Sequence, residues 1–367
     1  MKKPTLCVVF GGESSEYEVS LRSAYNVLSL LNTEKYELIT VGINKKGEWY
    51  LFEGEREKIL KDLWQEKGSL PVTMDLSTGQ LLVLDRQMYA INIDLVLPIM
   101  HGEYAEDGRL LGLLDMAHLK YVGNGPFASY TCMDKAITKS VAEGLKIPVA
   151  KSLLVRKNRG GGVYKNTHPY ILRGSACGFD TVMRELGAMG LSLPLFVKPA
   201  MCGSSVGAQL VKEEGALFGA VDFALKYSDT ALIEEYIRGD EVEVGVIQKG
   251  DEIIASTSGT IKHKGEFYDY DTKYIKEGTE YVIPSQIEEK TEKYLRECAK
   301  KLFLQLGCRG LCRFDFFVCG DRVVFNEANT MPGFTDISMF CMLFEKSGID
   351  KKSLVDALVD IRFDKNY

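Results

Sequence analysis

Two carboxylates and an amide oxygen stand near the C-terminal end of this chain at spacings that let them converge. Asp315 lies in the apolar run Cys312-Arg313-Phe314-Asp315-Phe316, and Glu327 and Asn329 lie in a second run that continues through Thr330-Met331-Pro332-Gly333. Gly320-Asp321 between them is a turn signal, so the two runs read as a hairpin that delivers all three oxygen donors to one place. Such a set suits Mg²⁺, which keeps bound waters and substrate phosphates as its other ligands. Strand alternation puts Arg313 on the same face as Asp315. A cation there can stabilise negative charge that builds up during a reaction. An ordinary hairpin with solvated acids shows the same spacing, so the rest of the chain must decide.

Lys198-Pro199-Ala200-Met201-Cys202-Gly203-Ser204-Ser205-Val206-Gly207 begins at the end of an expected strand. Its lysine can reach a phosphate, and its Gly-Ser-Ser turn offers backbone N–H groups and two hydroxyls. No Gly-Lys-Ser/Thr occurs, so it is not a Walker A loop. Lys135, in Met133-Asp134-Lys135, is a second candidate phosphate contact. Leu232 to Ile237, followed by Gly239-Asp240-Glu241, reads as a strand leaving into a linker, a place where a flat base can bind through the backbone. Phe267 to Tyr274 gathers three tyrosines, a phenylalanine and a lysine in one polar loop, the composition of a lid that excludes water. His101 to Gly108 puts a histidine and acids after an apolar strand, where ligands of open sheets collect.

The elements that must position these groups follow from apolar patterning. Thr5 to Phe10 reads as a buried strand, Gly11-Gly12 as a turn, and the stripe Val19, Ala24, Val27, Leu28, Leu31 as a helix with Ser15 and Glu18 as its capping box. That opening belongs to an open α/β sheet, with Leu38 to Ile43 and Asp94 to Ile99 as further strands and 49–64 as a connecting excursion. A second unit starts near Gly125, with a helix from Met133 to Gly144, strands at Ser152–Val155, Leu195–Pro199 and Ala231–Glu235, and an amphipathic helix over Lys212–Lys226. The stretch from Lys157 to Phe179, with its triple glycine, reads as a loop or insertion. In a third unit, Ser285 and Glu288 are a second capping-box pattern and Gly307 the stop of the helix between them.

A chain of 367 residues calls for two or three domains. A net charge of −6 leaves no electrostatic footprint for nucleic acid or an anionic membrane. The first apolar run is too short for a signal peptide, and no stretch approaches the ~20 apolar residues of a span, so a cytoplasmic protein is expected. Nine cysteines, mostly in apolar segments, read as reduced buried thiols. Cys308, Cys312 and Cys319 have no paired spacing, and zinc is rejected on that ground.

As a set, these residues resemble the D-alanine–D-alanine ligases of the ATP-grasp superfamily, in order and over nearly the whole chain. The match takes in Gly11-Gly12 through Ser20, His101 to Gly108, Met133 to Lys135, Lys198 to Gly207, Phe267 to Tyr274 and the closing hairpin. It implies a mixed α/β (α+β) architecture of three domains: an N-terminal open-sheet domain at 1–124, a central ATP-grasp subdomain at 125–238, and a C-terminal one at 239–367 with lid and metal site. It implies formation of D-alanyl-D-alanine through an acyl phosphate, for peptidoglycan precursor synthesis. ATP is then co-substrate, with two Mg²⁺ ions that Mn²⁺ can replace, and a homodimer is expected.

Carried over by residue, the resemblance gives Glu16 the ammonium of the first D-alanine, with hydrogen bonds to Ser204 and Tyr274. His101 lines that first site. Lys135, Lys198, Ser205 and Lys273 face ATP phosphates, Glu234 and the backbone of Glu235 and Ile237 the adenine, and Glu241 the ribose. Asp315, Glu327 and Asn329 bind magnesium. Arg313 and the Gly333 N–H stabilise the tetrahedral oxyanion, while Ser338 and Met339 flank the second substrate's carboxylate.

The chain departs from the family pattern His-Gly-x-x-Gly-Glu-Asp-Gly-Thr-x-Gln-Gly at Ala105, Arg109 and Leu111, which bears on the local loop geometry. Cys202 stands where polar or small residues are usual, and 157–179 is longer than expected. Retention of Lys273-Tyr274 argues against a D-lactate acceptor. Met339 offers no group that selects a serine hydroxyl, so D-alanine is favoured over the D-serine of vancomycin-resistance enzymes. Another ATP-grasp carboxylate–amine ligase would not need Glu16, Ser204 and Tyr274 together. An inactive ATP sensor would have lost one of Asp315, Glu327, Asn329 or Arg313.

Overall fold

The computed structural model describes residues 2–66, 69–158, 170–172, 175–262 and 280–363. Its first strand, β1 (Thr5–Gly11), is buried along its whole length, as a central strand covered on both faces must be. It ends at Gly11 and Gly12 with φ of 87° and 112°. A Cβ on Gly11 would lie 2.1 Å from the Ile43 carbonyl oxygen, so only glycine lets the chain turn here into α1 (Tyr17–Leu30). The helix begins one residue beyond the expected Ser15 cap: Glu16 is the N-cap, without a side-chain cap bond. Ser14 instead accepts the Glu16 N–H at 3.1 Å, which draws the helix start one turn past Gly12.

β2 (Glu37–Ile43), β3 (Trp49–Phe52), α2 (Glu57–Leu60), β4 (Leu70–Asp75), β5 (Gln80–Val83), β6 (Tyr89–Ile91) and β7 (Leu95–Met100) complete a seven-stranded sheet in the order β6-β5-β4-β3-β2-β1-β7. β1 runs parallel to β2 and β7, whereas β2 to β6 are antiparallel. The expected excursion at 49–64 thus contributes a strand and a short helix. Trp64 packs edge-on to Phe10 and lies over Gly42, closing the core on this side.

After α3 (Arg109–Met116) the chain passes Asn124, which is fully buried. Asn124 donates to the Leu311 and Thr330 carbonyls at 2.7 and 3.1 Å and accepts the Arg309 N–H at 2.9 Å. The boundary expected at 124 is therefore stitched to the C-terminal sheet. α4 (Pro126–Met133) and α5 (Lys135–Gly144) are two helices, where one was expected from Met133. Asp134 divides them by accepting the Ala136 and Ile137 N–H groups as N-cap of α5.

A second, six-stranded antiparallel sheet holds β8 (Ser152–Lys157), β9 (Tyr170–Leu172), β10 (Ser175–Cys177), β11 (Leu195–Pro199), β12 (Gln209–Val211) and β13 (Thr230–Glu235), in the order β10-β9-β8-β13-β11-β12. α6 (Phe179–Ala188) and α7 (Leu217–Ala224) cover one face of it, Val182, Leu186, Phe218 and Val221 supplying the core. The helix expected over 212–226 is shorter, because a 3₁₀ turn at Glu214–Ala216 precedes it. Part of the glycine-rich insertion is therefore sheet and helix start; its triple glycine lies outside the described residues.

The third sheet is antiparallel in the order β16-β15-β14-β17-β18, from β14 (Asp240–Lys249), β15 (Glu252–Lys262), β16 (Glu280–Val282), β17 (Leu311–Cys319) and β18 (Arg322–Asn329). α8 (Glu289–Gln305) covers one face, and Gly307 stops it with φ of 67°. α8 starts after Glu288 with no side-chain cap, and the Ser285 hydroxyl is spent on Thr260; the second capping box is absent. α9 (Met339–Lys346) and α10 (Lys351–Phe363) close the fold, with Phe340, Phe344, Leu354 and Leu358 in one core with Phe10 of β1 and Leu21 of α1.

Candidate active site

The hairpin β17–β18 builds the floor of the site. Phe314 and Phe316 are fully buried on one face, which turns Arg313 and Asp315 to the other. Register pairs Asp315 with Glu327 and Arg313 with Asn329. Arg313 forks onto Asp315 with two hydrogen bonds of 2.8 Å and lies 3.1 Å from Glu243 Oε2. Burial opposes the guanidinium charge, but Asp315 and Glu243 outweigh it and hold the Arg313 pKa well above its ordinary value. A β-bulge follows Asp315, so that Phe316 pairs with Phe325 and Asn326 is the extra residue. Consecutive side chains Asn326 and Glu327 both reach the cleft for this reason.

One large cleft, about 920 Å³, lies between the second and third sheets. Lys198 donates to Asn326 Oδ1 at 3.0 Å and pairs with Glu234 Oε2 at 3.0 Å. Lys139 takes the other Glu234 oxygen and the Ala150 carbonyl. Burial pushes the Glu234 carboxyl up, yet Lys198 and Lys139 together hold it below its ordinary value. Lys135 donates to the Cys202 carbonyl at 2.8 Å and lies 3.1 Å from Glu327. Ser205, Glu235, Ile237 and Glu241 line the same cleft. Glu235 is anchored by the Lys151 N–H at 2.9 Å and by Arg322 at 2.8 Å, and its own N–H is spent on the Lys151 carbonyl. Two cationic amines facing an oxygen-rich hairpin can hold a polyphosphate.

A smaller cleft, about 160 Å³, opens on the other side of Lys135 and Glu327, which line both. Its far wall is the start of α1. Ser204 donates its hydroxyl to Glu16 there, from a turn in which Ser204 and Ser205 both have left-handed φ, 52° and 57°. Non-glycine residues adopt that backbone at a cost of about 1–2 kcal/mol each. His101 bridges the Met331 carbonyl at 2.8 Å and the Ser23 hydroxyl at 3.0 Å, and burial lowers its pKa. Glu106 accepts the Gly102 N–H at 3.0 Å, and its carboxyl is pushed up to about 8, by burial first and then by the charge of Glu16. At the opposite wall Gly333 faces Ser338, whose Oγ would be 2.7 Å from any Cβ added there. Ser338 also accepts the Thr335 N–H at 2.9 Å. Met339 is buried against Ile261 and Leu343.

Of the expected groups among the described residues, all but Asp315 line two clefts that share Lys135 and Glu327. Asn329 lines the smaller one, while Asp315 is buried behind Arg313. Lys273 and Tyr274 lie outside the described residues. The departures at Ala105, Arg109 and Leu111 leave the loop tied: Asp107 accepts the Tyr104 and Arg109 N–H groups at 2.9 and 3.1 Å, and Leu111 is fully buried. Sequence reasoning missed Lys139, Glu243 and Asn326. Lys139 stands one turn after Lys135 on α5, a signal that was available; Asn326 depends on the bulge and was hidden. One correction concerns the thiols. All nine cysteines are free, but Cys308 and Cys312 do cluster, with Cys132 in place of Cys319. The third member arrives from α4 by tertiary packing, which spacing along the chain cannot reveal.

The donor set of the hairpin, two carboxylates and an amide oxygen, fits a hard cation such as Mg²⁺. Each carboxylate oxygen carries two acceptor sites, so the bonds of Asp315 to Arg313 leave acceptor capacity.

Comparison with known proteins agrees with this geometry. The family model for the D-ala D-ala ligase N-terminus matches residues 5–124, and that for the D-ala D-ala ligase C-terminus matches residues 179–360. A D-alanine–D-alanine ligase of Caldicellulosiruptor bescii is 37% identical over 369 residues, spanning 100% of this chain and 97% of the relative. Among solved structures, the VanG D-Ala:D-Ser ligase from Enterococcus faecalis aligns with a TM-score of 0.85 at 33% identity, covering 98% of this chain and 100% of its own. The D-alanine–D-alanine ligase from Coxiella burnetii aligns with a TM-score of 0.78 at 32% identity, covering 99% and 96%. The fold is accordingly a multi-domain α+β arrangement of the ATP-grasp class, and the chain belongs to the D-alanine–D-alanine ligase family of ATP-dependent ligases.

Proposed function

We propose that the protein joins two D-alanines into D-alanyl-D-alanine in the cleft pair that meets at Lys135 and Glu327, supplying peptidoglycan precursor synthesis. That junction is the observation that carries the reading, because it sets a polyphosphate site against an amino-acid site of the right size. Glu16, buttressed by Ser204, holds the ammonium of the first D-alanine, and His101 lines its pocket. One carboxylate oxygen of that substrate attacks the γ-phosphorus of ATP, and ADP leaves. The amine of the second D-alanine, with its carboxylate beside Ser338 and Met339, then attacks the acyl phosphate carbon. Arg313 and the Gly333 N–H take up the negative charge of the tetrahedral intermediate. Phosphate departs, and the amine loses its extra proton.

Lys135, Lys198 and Ser205 orient the phosphates, with Lys273 as a further contact. Glu234 fixes Lys198 and Lys139 at the edge of the adenine pocket, which Glu235 and Ile237 border, and Glu241 takes the ribose. Asp315, Glu327 and Asn329 would hold two Mg²⁺ ions, which would supply positive charge to neutralise the phosphates. The family resemblance would give Tyr274 a place beside Glu16 and Ser204 and a share in keeping water from the acyl phosphate. This reading keeps three domains, at 1–124, 125–238 and 239–367.

A cytoplasmic homodimer is the family expectation. None of the described helices is long and apolar enough to cross a membrane. Met116, Phe127 and Tyr130 stand exposed on α3 and α4, an apolar face suited to a second copy. Light scattering after size exclusion checks the assembly.

The test is phosphate release from ATP and Mg²⁺ with D-alanine alone, then with D-serine or D-lactate added, and with products identified by mass. It should run from about pH 6 to about pH 9, because an α-amine titrates near ~8. D-Ala-D-Ala as the main product throughout is expected. Dominant D-Ala-D-Ser would move the chain to the serine ligases, and no turnover would return it to the wider carboxylate–amine class.

A further inference from the structure

Three thiols meet in the core behind the site. Cys132 comes from the last turn of α4, Cys308 from the loop between α8 and β17, and Cys312 from β17. Their sulphur atoms all lie within 4.8 Å of one another, and Cys132 and Cys308 are 3.7 Å apart. Around a metal with M–S bonds of about 2.3 Å, neighbouring sulphurs stand about 3.8 Å apart in a tetrahedron and about 4.0 Å apart in a plane. The Cys132–Cys308 pair therefore stands at ligand spacing, and the Cys312 sulphur, within 4.8 Å of both, exceeds that spacing by no more than about 1 Å.

We propose that Cys132, Cys308 and Cys312 form a binding site for a divalent thiophilic cation, of which Zn²⁺ is the common example.

Several observations favour this over ordinary packing. Capture of a divalent ion by three thiols releases three protons and leaves a buried net charge of minus one. A monovalent ion would leave minus two in a dry core, which burial disfavours. An all-sulphur set excludes Mg²⁺ and Ca²⁺, which take oxygen ligands. Access also exists, because Cys132 lines the smaller cleft. Zinc sites with three protein ligands leave the fourth position to water, and the cleft can supply it. Such an ion would tie α4 to β17, one residue from Arg313 and three from Lys135.

The test uses the full, reduced chain under anaerobic conditions with saturating Mg²⁺, titrated with Cd²⁺ as the probe. A sulphur-to-cadmium charge-transfer band that saturates at one equivalent is expected. Cys308→Ser should weaken that binding by more than the ~10–100-fold that changes outside the ligand shell cost, and Cys319→Ser should leave it intact. Because a variant can lose its fold, the unsubstituted protein loaded with Zn²⁺ gives an independent reading. X-ray absorption should show three sulphurs at about 2.3 Å. An unchanged band in a folded Cys308→Ser protein, loss of the band in Cys319→Ser, or a zinc shell of oxygen and nitrogen would each overturn the site.

Discussion

Ser204 hands its hydroxyl hydrogen to Glu16 across 188 positions of sequence, from a turn whose backbone is left-handed at two successive serines. The bond joins the helix start of the first sheet to the turn after β11 of the second. It shapes the amino-acid cleft before any substrate arrives, and it gives the first prediction. Ser204→Ala should lower kcat/KM for D-alanine by about 10- to 100-fold, because a hydrogen bond to a charged group is worth ~1.5–3 kcal/mol. A cycle with Glu16→Gln should be non-additive when phosphate release is followed. Strict additivity would mean that the two residues act apart.

Arg313 is gripped by Asp315 and Glu243, so its removal acts twice. Arg313→Ala should cut turnover by about 10²- to 10³-fold, the usual cost of a lost oxyanion donor, while calorimetry finds ATP affinity little changed. It should also lower the melting temperature, since two buried carboxylates lose their counter-charge. Arg313→Lys keeps the charge but not the fork, and should restore more stability than turnover. Normal turnover in the alanine variant would remove the proposed role.

Glu327 shares its carboxylate between Lys135 and the expected cation site. Glu327→Gln should raise the Mg²⁺ concentration needed for half-maximal rate by about tenfold or more, and freeing Lys135 cannot compensate for a missing anionic ligand. A magnesium titration that superimposes on the unsubstituted protein would argue that Asp315 and Asn329 suffice.

Much of this site could be read along the chain, and the unread parts have a common cause. Arg313 and Asp315 were placed together because strand alternation is local, and β17 obeys it. Asn326 was not, because the bulge after Asp315 breaks alternation and depends on how two strands pair. The capping-box patterns gave way to partners that spacing does not report: Thr260 engages the Ser285 hydroxyl, and Lys45 takes the Glu18 carboxylate. The sheets were legible as elements, but the excursion at 49–64 joined the first sheet through contacts with β2 and β4 that sequence patterning does not report. The thiol cluster required three elements to meet, and only the tertiary fold brings them together.

Glu106 carries the clearest pH signature. Its carboxyl is raised from 4.5 to about 8, mainly by burial and next by Glu16. Between about pH 4.5 and about pH 8 the unfolded chain has lost this proton and the folded chain keeps it. The folded state therefore binds more protons, and stability falls as pH rises through that window, then levels off above about pH 8. The slope from this one group cannot exceed ~1.4 kcal/mol per pH unit, and water at a half-buried carboxyl reduces it. Glu106→Gln removes the titration while keeping an acceptor for the Gly102 N–H. The variant should lose part of the fall in melting temperature between pH 5 and pH 8, measured in one buffer series at fixed ionic strength. The same fall in both proteins would show Glu106 ionised at neutral pH, and the cleft would then hold two adjacent anions, Glu16 and Glu106, rather than one anion and one neutral acid.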